Sequence, residues 1–131
     1  MSGEWMLIIE QPAPWLNAND RVHWRTRARW TKAWRHAAWH AVANRDVNPI
    51  PLRLDQVHII AELRFRDRRR RDPANWAPTA KAIVDGLVDY GLIADDDHRH
   101  VVGPDMRIGE PVARSARCAV VLTIVELEAI A

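Results

Sequence analysis

The chain has 131 residues, 48% of them hydrophobic and 27% charged, with a formal net charge of +2. That composition excludes a disordered polar chain and fits one domain with its own core. No apolar run approaches the ~20 residues of a membrane span, so no membrane partner is expected.

Met1-Ser2-Gly3-Glu4-Trp5 offers no basic stretch before its apolar run, so no signal peptide is expected. The single Cys118 cannot form an internal disulfide. It fits a reducing, cytoplasmic setting and reads as a buried, inert thiol. Seventeen of the nineteen basic residues are Arg, the exceptions being Lys32 and Lys81. A GC-rich coding sequence and a nucleic-acid-facing surface both account for that bias. Four of the seven Trp fall in one segment: Trp24, Trp30, Trp34 and Trp39.

Trp5 to Ile9 reads as a first strand. Pro12, Pro14, Asn17, Asn19 and Asp20 then mark a loop. From Thr26 to Asn44, apolar residues recur three and four apart (Trp30, Trp34, Ala37, Ala38, Ala41, Val42), which predicts a helix. Asn48, Pro49 and Pro51 end it. Val57 to Arg66 alternates as a strand does, with Val57, Ile59, Ala61, Leu63 and Phe65 on one side.

A second helix is expected from Pro78 to Tyr90, stopped by Gly91. Strands are expected at His100 to Ile108 and Arg117 to Leu127, the last central because both its faces are apolar. The order β-α-β-α-β-β predicts an α/β (α+β) domain over 1–131: one mixed, mostly antiparallel sheet packed by two helices.

The charges fall in blocks. Arg66 is followed by Arg68, Arg69, Arg70 and Arg71, which lead into Asp72, Pro73, Ala74 and Asn75. Lys81 and Asp85 share a helix face, and Asp95-Asp96-Asp97 follow that helix. Arginine clusters bind phosphate, and carboxylate clusters bind hard divalent cations. A thirteen-residue helix is ~20 Å long, so Asp72 and Asp96 are not neighbours by sequence. They meet only if the chain folds back or a second subunit contributes. A solvated arginine loop and a solvated acidic turn are the plainer reading of the same residues. His98 and His100 have a spacing that can bind zinc, but with one cysteine and no second such pair a structural zinc site is not expected.

The run Arg68–Asp72, Asn75, Lys81-Ala82-x-x-Asp85-Gly86-Leu87 and Gly91-Leu92-x-x-Asp95-Asp96 resembles the signature of the RusA family of Holliday junction resolvases. The resemblance covers about 64–102. A looser likeness extends to the Pro/Asn segment 12–21. It implies a small homodimeric, Mg²⁺-dependent endonuclease, with Mn²⁺ as a substitute ion, that cuts branched DNA at four-way junctions. It also implies a bacterial, phage or prophage origin.

Carried over by position, Asp72, Asp96 and Lys81 are the implied catalytic residues. Asp72, Asp96, Asp85 and Asp95 are the implied metal ligands. Arg66, Arg68, Arg69, Arg70, Arg71 and Asn75 are the implied DNA contacts. The chain departs from the signature in two places. Ala74 stands where the family has its second aspartate, and Lys81 follows Asn75 by six residues rather than three. A catalytically silent binder of branched DNA is the alternative these departures motivate. An arginine-rich RNA- or protein-binding module is a third.

Overall fold

Alternation of apolar and polar side chains builds the first strand, β1 (Glu4–Glu10): Leu7 and Ile9 are buried, while Met6 and Ile8 are exposed on the other side. The structure is a computed structural model and describes residues 3–128. The helix α1 (Trp24–Ala43) buries Trp34, Ala38, Ala41 and Val42, with Trp30 and Ala37 half-buried beside them. It begins two residues before the expected Thr26, because His23 accepts a hydrogen bond from the Arg25 N–H and so caps the first turn. The Trp34 indole is fully buried, and its Nε1–H donates to the Pro14 carbonyl at 3.0 Å.

β2 (Val57–Arg64) has the expected alternation, with Val57, Ile59, Ala61 and Leu63 fully buried. It ends two residues before Arg66. There the Asp67 carboxylate accepts from the Arg69 N–H and turns the chain, although Phe65 still points into the core. The sequence reading held no element between this strand and the second helix. The structure forms a short 3₁₀ helix at Pro73–Trp76. Asp72 caps it by accepting from the Ala74 N–H at 3.1 Å, and Pro73 supplies a ready-made first helical residue.

α2 (Ala77–Tyr90) buries Ala80, Ile83, Val84 and Leu87. It stops at Gly91, whose left-handed φ of 92° lets its N–H reach back to the last turn. Close approach of the two helices depends on another glycine. A Cβ at Gly86 would run into the Arg35 carbonyl and stand 2.8 Å from Ala38 Cβ. β3 (Val101–Ile108) and β4 (Ala119–Glu126) complete the chain.

The sheet order is β1-β4-β2-β3. β4 pairs antiparallel with β1 and β2, and β2 pairs parallel with β3. β4 is therefore central, which its two apolar faces anticipated. The parallel pair is joined through α2, as a parallel connection requires a crossover. The fold is α+β, with both helices on one face of the mixed sheet around a shared apolar core. No element among the described residues covers the other face. Met6, Ile8 and Val102 are about half exposed there, next to the His58–Asp105 pair at 2.7 Å. No helix among the described residues is long and apolar enough to cross a membrane.

Candidate active site

Lys81 lies in the N-terminal half of α2, and Asp85 is one turn further on. The Lys81 Nζ donates to Asp85 Oδ1 at 2.6 Å and to Asp96 Oδ2 at 2.5 Å. The loop after α2 thus returns along the helix instead of continuing past its end. Leu92 and Ile93 drive the return: both are buried, and the Leu92 carbonyl accepts from the Leu54 N–H at 2.7 Å. Asp95 is exposed, and its carboxylate accepts from the Asp96 N–H at 2.7 Å.

The electrostatics follow from these contacts. Hydrogen bonds to Asp85 and then Asp96 raise the Lys81 pKa above its ordinary value. The same Lys81 bond holds the Asp96 carboxyl below the usual carboxylate range. Asp97 is also held low, by Arg99 first and then His100. It accepts from His100 Nδ1 or shares a proton with it at 2.7 Å, while His98 is exposed. A groove of about 290 Å³ opens beside Lys81 and Asp96, between α2 and β3, with Ala77, Ala80, Pro104 and Met106 on its walls.

Asp72 is exposed and committed to its cap. Among the described residues it makes no hydrogen bond to Lys81, Asp85 or Asp96. Asn75 is half-buried, and its carbonyl accepts from the Ala18 N–H at 2.8 Å. Among the described residues no group of three or more His, Cys, Asp or Glu side chains is arranged to hold a metal ion. The carboxylates that do converge, Asp85 and Asp96, meet on the Lys81 ammonium. The chain matches no protein-family model and no curated protein.

The arginines leading into the site are not equivalent. Arg71 is only 11% exposed at its side chain. Its guanidinium lies 3.8 Å from the centre of the Phe65 ring and bridges Asp67 at 2.9 Å. Arg68 pairs with Glu110 at 2.8 Å, and Arg69 with Asp67 at 3.5 Å. Arg66 donates to the Arg114 carbonyl. Arg70 is exposed and has no carboxylate partner among the described residues.

Two contacts near the site have no counterpart in the sequence reading. Arg35 of α1 and Asp89 of α2 form a two-pronged pair, with Arg35 Nη2 at 2.7 Å from Asp89 Oδ1. Buried Thr79 both donates to the Leu16 carbonyl at 2.9 Å and accepts from the Leu16 N–H at 3.0 Å. Neither pairing is local, so no spacing rule could have found it.

Proposed function

We propose that this chain is a Mg²⁺-dependent, structure-selective endodeoxyribonuclease that resolves four-way DNA junctions as a homodimer, acting in the cytoplasm of a bacterium or of a phage-infected cell. The observation that carries the reading is the convergence of Asp85 and Asp96 on one cationic atom, Lys81 Nζ, beside an open groove. Mg²⁺ needs only one or two protein carboxylates and completes its shell with water and substrate phosphate. Asp85 and Asp96 fit that demand, with Asp95 beside Asp96 as a further ligand, while Asp72 would join only by giving up its cap on the Ala74 N–H; Mn²⁺ suits the same oxygens. When bound, the ion would polarise the phosphodiester and activate a water.

Lys81 stays protonated because both its partners favour the charged form. It is therefore a fixed positive charge for the developing phosphorane rather than a base. Arg70 is free to meet a flanking phosphate. Arg66, Arg68 and Arg69 can exchange their present partners for one, and Asn75 and Arg71 hold the loop that presents them. Such contacts fix register and carry no base specificity.

Two cuts per junction require two sites, and the uncovered sheet face offers a surface on which two copies can meet. It is apolar at Met6, Ile8 and Val102 and carries both charge signs at Asp105 and Arg64. A second reading is a branched-DNA binder that does not cut. Ala74 and the cap that occupies Asp72 favour it.

The test is cleavage of a mobile four-way junction with and without Mg²⁺, using Asp96→Asn as the control. Symmetric Mg²⁺-dependent nicking lost in the variant is expected. Junction binding without cleavage would favour the silent binder. Neither binding nor cleavage would overturn both readings.

A further inference from the structure

The twenty residues of α1 include Arg25, Arg27, Arg29, Lys32 and Arg35, with His36 and His40, and not one Asp or Glu. A solvated surface helix ordinarily mixes signs and pairs them one turn apart. Here Arg25, Arg29 and Lys32 are exposed and have no carboxylate partner among the described residues. Among the described residues, the acid that pairs with a base of α1 comes from the other helix: Asp89 neutralises Arg35.

At the head of the helix stands Trp24, 69% exposed, with the Arg25 guanidinium 5.2 Å from its ring centre and the His23 ring stacked at 5.9 Å. Burial does not explain an indole in that position; the fully buried indole of α1 is Trp34. A shallow groove of about 660 Å³ runs from Trp24 past Arg27, Thr31 and Lys32 to the Arg35–Asp89 pair. Asp85, one turn before Asp89 on α2, adds its attraction to Arg35 and also holds Lys81. Asp89, Asp85 and Lys81 follow one another one turn apart along α2, so the end of the groove and the candidate active site lie along one side of that helix.

We propose that α1 is a docking surface for single-stranded DNA leaving a branch point, with Trp24 stacking on an unpaired base and Arg25, Arg29 and Lys32 holding phosphates. The helix is about 30 Å long, enough for several nucleotides of backbone. Stacking on an aromatic face tolerates any base, and phosphate contacts tolerate any sequence. The surface thus selects unpaired strands rather than a base order. A membrane surface fits less well. The apolar stripe of α1 is already buried against the sheet and α2, which leaves isolated Trp24 and Trp39 as its exposed aromatics. The proposal rests on the nuclease reading for its substrate but requires no cleavage.

Fluorescence anisotropy of the full chain with labelled oligo-dT and with blunt duplex tests it, alongside circular dichroism to confirm folding. Trp24→Ala is expected to weaken oligo-dT binding by about tenfold and to leave the duplex little changed. The Arg25→Ala/Arg29→Ala/Lys32→Ala variant should lower the slope of log affinity against log salt by about 2 on single strands.

Unaltered oligo-dT binding in the folded variants would overturn the proposal, as would equal losses on duplex. So would Trp24-dependent binding to phosphatidylglycerol vesicles with DNA affinity unchanged. Junction cleavage by the same preparations separates this inference from the nuclease reading. Lost single-strand binding with no Mg²⁺-dependent cleavage in the wild type keeps α1 and removes the nuclease. Normal binding by the α1 variants with Asp96-dependent cleavage does the reverse.

Discussion

The ammonium of Lys81 stands 2.5 Å from Asp96, fifteen residues ahead in sequence, and ties the N-terminal half of α2 to the loop that leads into β3. The contact is largely open to water, since the Lys81 side chain is 61% exposed. It therefore contributes little to folding, less than about 1 kcal/mol after screening. Lys81→Ala and Asp96→Asn should each leave the melting temperature nearly unchanged. Junction cleavage should fall by about a hundredfold or more in both. Parallel loss of stability and cleavage, read by thermal melts and a gel assay, would mean the pair is structural.

The acid side of the stability profile should carry a signature of the same pair. Asp96 has a folded pKa below its ordinary 3.8. A group lowered in this way contributes stability above its unfolded pKa and loses it as pH falls through the folded value. Urea midpoints of wild type and Asp96→Asn should differ most at neutral pH, and there only by the small amount an exposed pair contributes. The two should converge below 3.8, as the wild-type carboxylate takes up its proton.

Arg70 and Arg71 are adjacent yet should respond differently to removal. Arg70→Ala should keep full stability and reduce the salt slope of duplex binding by about 0.9. Arg71→Ala strips the cover from Phe65 and the bridge to Asp67, so it should cost roughly 1–2 kcal/mol of stability. Equal effects in chemical denaturation would contradict the distinction.

Gly86→Ala should destabilise by about 1–3 kcal/mol, although alanine is normally the better helix residue. The added methyl meets the Arg35 backbone, which cannot move without shifting α1. A denaturation midpoint equal to wild type would show that the helices separate freely.

The uncovered sheet face gives a prediction about assembly. Ile8→Arg places charge on its β1 edge, beside exposed Met6, without touching the core. It should turn a sedimenting dimer into a monomer, and paired cuts into single nicks. A variant that remains dimeric would move the interface elsewhere.

The elements that could be read from sequence were those set by local periodicity. The alternation of Val57 to Phe65, the stripe of α2 with its Gly91 stop, and the two apolar faces of β4 each depend on neighbours in sequence. The Lys81–Asp85 contact belongs with them, because it spans one helical turn. Asp96 does not. Its position depends on Leu92 and Ile93 being drawn back into the core, which spacing does not encode. The 3₁₀ turn was hidden because Asp72-Pro73 reads equally well as loop. The four arginines looked alike for a similar reason: only the fold sets Phe65 beneath Arg71 and leaves Arg70 in water.

The two hydrogen bonds between Thr79 and Leu16, together with that from the Ala18 N–H to the Asn75 carbonyl, clamp the Pro- and Asn-rich loop onto the 3₁₀ turn and the start of α2. In hydrogen exchange, the amides of Leu16 and Ala18 should therefore be retained about as long as those of the helix, while the neighbouring Asn19 exchanges early. Thr79→Val should speed exchange at Leu16 first, because its buried N–H and carbonyl would lose their partner at once, whereas the Ala18 N–H keeps the Asn75 carbonyl. A stretch that looks irregular on paper is thus tied into the frame around Lys81, and α2 and the N-terminal loop are expected to open as one unit.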